Sequence, residues 1–83
     1  MASQDKRTLD VTILSPERLI FKGEAESVLL PGVKGVFEVL PYHKRLLSKL
    51  LRGQVIIDGK KLLIKRGVVK VGLNEVIMVI EET

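Results

Sequence analysis

The sequence predicts an all-β domain, a sandwich or barrel, on three observations. Short apolar segments rich in Val, Ile and Leu recur every eight to ten positions with turn residues between them. The first of them alternates apolar and polar side chains, the period-2 signature of a half-buried strand. Asp58-Gly59 lies between two β-branched and apolar runs, a strong hairpin signal because a type I′ turn needs positive φ at both central positions.

The elements follow in order. Leu9, Val11 and Ile13 alternate with Asp10, Thr12 and Leu14 as a first strand, and Ser15-Pro16-Glu17 turns the chain. Arg18 to Lys22 is a second strand, closed by a turn at Gly23-Glu24. Val28-Leu29-Leu30 follows, ended by Pro31-Gly32. Gln54 to Ile57 and Lys61 to Ile64 flank the Asp58-Gly59 turn. Val69, Val71 and Val76 to Ile80 form a last pair around a turn at Gly72-Leu73-Asn74-Glu75. Phe21 and Phe37 read as core residues. One stretch departs from the pattern. In Lys44 to Arg52 (KRLLSKLLR) leucines stand at 46, 47, 50 and 51, helical spacing with a basic opposite face, ended by Gly53.

Eighty-three residues make one domain and bury only roughly 60–65% of the unfolded chain's surface. Scaffolds of this size usually add disulfides, a metal or a partner. With no Cys and one His, neither a disulfide nor a zinc site is available, which leaves a partner. No apolar run reaches the roughly 18–20 residues of a membrane span. The polar MASQDKR start lacks the apolar stretch of a signal peptide, so residues 1–8 read as a flexible lead, residues 9–83 as the domain, and the protein as soluble and intracellular.

The net charge of +4 is uneven. Lys44 to Lys70 holds nine basic residues and one acid, Asp58, while the remainder nets −4. Such a stretch suits nucleic acid, an anionic membrane surface or an acidic protein face, or it is simply the solvated side of alternating strands. Phosphate-binding loops need a Lys-Ser/Thr pair and a helix after the glycines, and Gly32-Val33-Lys34-Gly35 has neither. The same GVKG matches the GxxG loop of KH domains, but that loop joins helices and this one joins predicted strands. With Phe21, Phe37 and Tyr42 as the only aromatics, base stacking has little to work with. Glu24/Glu26 and Glu81/Glu82 are carboxylate pairs at turn or terminal positions, read as solvated charge. No GxSxG nucleophile context is present. Catalytic, metal and nucleotide sites are therefore not expected.

The order of segments resembles the N-terminal domain of the epsilon subunit of the rotary ATP synthase. The resemblance rests on LDVTILSPERLIFKGEAESVLLPG, on GVFEVLPYH, on LLSKLLRGQVII, and on the hairpin with the RGVVKVGLNEVIMVIEE ending. It covers roughly Leu9 to Glu82. It implies a flattened sandwich of about ten strands in two sheets, with Lys44 to Leu51 extended in spite of its helical spacing. It further implies a non-catalytic rotor subunit of a proton- or sodium-driven synthase, without cofactor. That subunit is bound to the gamma subunit and the c-ring, peripheral to the cytoplasmic face of an energy-transducing membrane, bacterial or organellar. By resemblance Gly32, Val33, Lys34, Gly35 and Val36 form the ring-facing loop, and Ser15 and His43 lie on the gamma-facing side. Ser15 also reads as a plain turn residue, and His43 as a structural histidine fixing its turn through a ring hydrogen bond. The alternative to the rotor subunit is a small basic β-barrel that binds nucleic acid through Lys44–Lys70.

The departures from that family are specific. Where many members read Gly-x-Leu-Gly-x-x-Pro-Gly-His-Ala-Pro, Glu38 and Tyr42 replace small residues and Lys44-Arg45 replaces a small neutral pair. A backbone at Glu38 and Tyr42 without glycine's range of φ is the expectation. Lys34 is the only charge from Val33 to Phe37, where many members are acidic. The sequence ends at Thr83, so a short form without the family's C-terminal helical hairpin, natural or trimmed, is expected.

Overall fold

A computed structural model describes residues 8–83; the expected flexible lead lies outside the described residues except for Thr8, whose Oγ1–H donates to Glu24 Oε1 at 3.1 Å. The described chain is all strand and turn: β1 Leu9–Leu14, β2 Leu19–Ala25, β3 Val28–Gly32, β4 Gly35–Val39, β5 Leu46–Leu50, β6 Gly53–Ile57, β7 Lys60–Gly72 and β8 Glu75–Glu82. The order across the sheet is β2-β1-β8-β7-β5-β3-β4, with β6 between β3 and β7. All neighbours are antiparallel except β1 and β8, which run parallel from Asp10↔Glu75 to Leu14↔Val79.

A long ribbon organises the two layers. β5 and β6 together form one arm and β7 the other, and the pairing keeps a single register from Leu46↔Val71 through Leu50↔Gly67 and Gly53↔Ile64 to Ile57↔Lys60. The inward side chains change parity at the middle of both arms. Leu46, Ser48 and Leu50 point in before the break and Val55 and Ile57 after it; Leu62 and Ile64 point in before, Val69 and Val71 after. Leu51, Arg52, Lys65 and Arg66 are therefore all exposed at the corner, where the ribbon passes from one layer to the other. Gly67 sits at that corner because nothing larger fits: a Cβ there would lie 2.7 Å from the Val79 carbonyl oxygen and 2.8 Å from Ile80 Cγ2.

This ribbon corrects two expectations. Lys44–Arg52 is strand β5 with its flanks, as the family resemblance implies and the leucine spacing does not. Pairing along the whole β7 edge outweighs so short a helical period, since backbone partners and burial both favour the strand. The strand count is eight rather than ten, partly because the runs at 61–64 and 69–71 are one continuous strand. Gly23-Glu24 is also not a turn. Both residues pair within β2, opposite Val11 and Asp10, and the reversal falls at Glu26-Ser27. The Phe21 ring covers Gly23, where a Cβ would meet its Cζ at 3.2 Å.

The core is one cluster of sixteen buried apolar residues, from Leu9, Val11 and Ile13 of β1 to Val76, Met78 and Ile80 of β8, and among the described residues no polar side chain is buried. Phe21 and Phe37 pack against it half-buried. Asp58 and Gly59 both take positive φ, 47° and 85°, as the hairpin requires. The Asp58 carboxylate reaches sideways to the entry of the neighbouring β3, accepting the Glu26 N–H at 2.9 Å and the Ser27 N–H at 3.0 Å, while its own N–H donates to the Ser27 carbonyl. The β6–β7 turn and the β2–β3 turn are thereby tied together.

Candidate interaction surfaces

The hairpin tip forms as expected. Gly32 pairs with Gly35, leaving Val33 and Lys34 as the two turn residues, so Gly32 to Val36 come together at one end of β3–β4. Val33 and Lys34 keep negative φ and Gly35 takes 118°, the pattern of a type I turn followed by a glycine. Gly32 is required by packing instead: a Cβ there would stand 2.7 Å from Phe37 Cε1, so the Phe37 ring lies over it and fixes the tip to the core edge. Val33 and Val36 are 61% and 70% exposed, large values for valines that flank one cation. Beside them a shallow cleft of about 420 Å³ runs to Leu46 and Ser48 on β5.

Ser15 and His43 do not come together. Ser15 ends β1 and saturates its own turn: Oγ accepts the N–H groups of Glu17 and Arg18 at 3.2 Å, and the Ser15 N–H donates to the Arg18 carbonyl at 2.9 Å. Next to it Arg18 pairs with Glu82 at 2.7 Å. His43 lies beyond the other end of β1, in the β4–β5 turn. Its N–H donates to the Leu40 carbonyl, and its ring Nδ1 lies 2.7 Å from the Lys44 carbonyl oxygen. A carbonyl only accepts, so Nδ1–H is the donor of this contact.

The turn at His43 departs from expectation. Tyr42 adopts φ 69°, the left-handed conformation that favours glycine, in spite of its side chain. Its N–H donates to Asn74 Oδ1 at 2.7 Å, and the Asn74 carbonyl accepts the Asp10 N–H at 2.9 Å. Asn74, itself at φ 52°, thus clamps the β4–β5 turn onto the β7–β8 turn and the start of β1. Sequence reading saw Asn74 only as a turn residue.

Between the Ser15 and His43 ends, about 15 Å apart along β1, lies a surface that sequence reading missed. Register places Val68 beside Val79, Val79 beside Leu14, and Leu14 beside Leu19, an outward apolar row across β7, β8, β1 and β2. The next row holds Leu47, Lys70, Ile77, Thr12 and Lys22. An outer sheet face is normally polar, so an apolar row across four strands marks a contact face. Its end is a groove of about 450 Å³ lined by Pro16, Leu51, Val68 and Val79, with Lys49 and Arg66 at the rim. The only advance signal was the unbroken apolar run VIMVI of β8, which leaves outward as well as inward positions apolar.

The basic stretch is not a single face. Lys49 stands beside Val68 at the end of the apolar row, Lys70 lies within the next row, Arg66 pairs with Glu81 at 3.3 Å, and Lys60 and Lys61 stand at the far hairpin end of β7. Of Glu24, Glu81 and Glu82, each meets a partner, and all three remain at the surface. Among the described residues no group of three or more His, Asp or Glu converges for a metal, and no helix is long and apolar enough to cross a membrane.

Comparison with known proteins agrees with this architecture. The family model of the ATP synthase delta/epsilon chain β-sandwich domain matches residues 8–83. The chain is 44% identical over 79 residues to the ATP synthase epsilon chain of a Nitratiruptor species, covering 89% of this chain and 61% of the relative. It is 38% identical over 76 residues to that of Endomicrobium trichonymphae, covering 87% and 55%. It thus spans about 55–61% of the length of these relatives. Among solved structures, the fold matches a chain of the Tetrahymena thermophila mitochondrial ATP synthase central stalk and c-ring with TM-score 0.78 at 12% identity, covering 96% of this chain and 67% of that one. A chain of the Euglena gracilis mitochondrial ATP synthase matches with TM-score 0.85 at 18% identity, covering 96% and 54%. With a family match over all the described residues, epsilon-chain relatives at this identity and the same sandwich in two synthases, the chain belongs to the ATP synthase delta/epsilon β-sandwich family, as an epsilon-type N-terminal domain.

Proposed function

We propose that residues 9–83 act as one non-catalytic unit of the central stalk of a proton- or sodium-driven ATP synthase, peripheral to the cytoplasmic face of the membrane, bracing the gamma subunit against the c-ring. The observation that carries this reading is the family match over residues 8–83. The apolar row Val68–Val79–Leu14–Leu19, bounded by the Ser15 and His43 turns, is then the gamma-facing surface. A row of this kind gains by burial, at about 25 cal/mol per Å² of apolar area removed from water. The Gly32–Val36 tip, on a different edge, is left for the ring. The role is mechanical: the Asn74 and Asp58 clamps and the Phe37 packing hold the two surfaces at a fixed spacing, so torque passes through shape and charge.

Adding the cognate gamma subunit is expected to raise the melting temperature of this chain and to give a complex that survives gel filtration at moderate salt, because a partner that binds only the folded state stabilises it. No shift and no complex would overturn the reading. Nucleic-acid binding is the competing use of the basic stretch, and it has a steep salt dependence as its signature. The division of those cations between the β5–β7 face and the β6–β7 hairpin end argues against it.

A further inference from the structure

We propose that the hairpin tip docks on an acidic loop, one that carries an aspartate or glutamate among apolar or small residues; this rests on the reading of Gly32 to Val36 as the ring-facing tip. Val33 and Val36 are large apolar side chains left exposed at the tip, and Lys34 lies between them in the sequence. A partner that covers both valines brings its own surface beside the Lys34 ammonium. Among the described residues no ion pair joins Lys34 to a carboxylate; the pairs seen there use Arg18 with Glu82 and Arg66 with Glu81. An ammonium taken out of water without a counter-charge is strongly unfavourable, so the carboxylate has to come from the partner.

The tip is also built to present that charge in one place. Gly35 at φ 118° and the Phe37 ring over Gly32 fix the turn, and the cleft beside it, lined by Val33, Val36, Phe37 and Leu46, carries Lys34 as its only charge. A single cation between two valines suits a short protein loop better than a lipid surface, which is held by clusters of about four to eight basic residues.

The test uses this chain bound to its gamma subunit, titrated onto the detergent-solubilised rotor ring of the same organism at low and moderate salt. Wild type is compared with Lys34→Gln, Lys34→Arg and Lys34→Glu, each checked by its melting curve. Lys34→Glu is expected to weaken binding by about tenfold or more, Lys34→Gln by less, and Lys34→Arg hardly at all, with the difference shrinking as salt rises. The polar loop of the ring subunit should contain Asp or Glu, and exchanging that acid for lysine should restore binding to Lys34→Glu. Unchanged or tighter binding by Lys34→Glu would overturn the inference while leaving the ring-facing tip intact. So would Lys34-dependent capture by phosphatidylglycerol vesicles without the ring. No binding of the wild-type complex to the ring at any salt would instead overturn the rotor reading beneath it.

Discussion

The backbone N–H of Tyr42 donates to Asn74 Oδ1 at 2.7 Å, and this bond holds a tyrosine in a backbone conformation that favours glycine. Left-handed φ costs a non-glycine residue about 1–2 kcal/mol. Tyr42 is 61% exposed, so its side chain returns little of that through packing. Tyr42→Gly is therefore expected to stabilise the domain by about 0.5–1 kcal/mol, the strain relief exceeding the extra chain entropy of glycine. At this size the shift in melting temperature is about 2–8 °C upward. Asn74→Ala is expected to destabilise by about 1–3 kcal/mol, because it removes the acceptor and puts alanine at φ 52°. Paired thermal melts check both, and a lower melting temperature for Tyr42→Gly would show that the tyrosine side chain holds the turn.

Gly32 and Phe37 form a coupled pair. Gly32→Ala places a Cβ 2.7 Å from Phe37 Cε1, and overpacking of this kind costs about 1–3 kcal/mol. Phe37→Leu alone loses part of a half-buried ring. In the double variant the clash is gone, so its loss should fall short of the sum of the singles by about 1 kcal/mol or more. Urea melts of the four proteins measure the coupling, and strict additivity would mean that the ring swings aside without penalty.

The two glycines of the second half of β7 separate backbone obstruction from open space. At Gly67 the obstacle is the Val79 carbonyl at 2.7 Å, which cannot rotate away, and Gly67→Ala is expected to destabilise by about 2–3 kcal/mol. At Gly72 a Cβ meets only Glu75 Oε1, at 4.0 Å, and φ is not positive, so Gly72→Ala should be neutral or stabilising by up to about 0.5–1 kcal/mol. Denaturant midpoints check the contrast; equal effects would remove the corner role given to Gly67.

Asp58 tests the clamp between the two turns. Its carboxylate accepts the N–H groups of Glu26 and Ser27, a geometry like that of a helix cap, and losing such a cap costs about 0.5–2 kcal/mol. Asp58→Ala should lose that amount and also strain the turn at φ 47°. Asp58→Asn keeps an acceptor oxygen and tolerates positive φ, so it should recover more than half. Hydrogen exchange at the Glu26 and Ser27 amides gives a local readout, faster in the alanine variant.

What the sequence revealed and what it hid divide along a physical line. Turns with local chemistry were legible: Asp58-Gly59, Gly72 to Glu75 and the Ser-Pro-Glu turn all stand where their residues put them. The family resemblance also carried β5 against its own helical spacing. Features that depend on register between distant strands were not legible. The leucines of KRLLSKLLR look helical because Leu47 and Leu51 point outward, one into a surface row and the other at the ribbon corner, and that follows only from the pairing with β7. The apolar row from Val68 to Leu19 draws one residue from each of four strands, so no window of sequence contains it. The Asp58 and Tyr42 clamps span thirty-two residues each at their longest, beyond any local pattern.

The central claim is that this sandwich binds gamma through the face that carries Val68 and Val79. Isothermal titration of the cognate gamma subunit into the wild-type chain and into Val79→Glu, whose fold is confirmed by an unchanged circular dichroism spectrum, tests it most directly. The account predicts one-to-one binding at micromolar protein or below, weakened at least about tenfold by a charge placed in the apolar row. No heat of binding for the wild-type chain at micromolar concentration, or equal affinity for Val79→Glu, would contradict it.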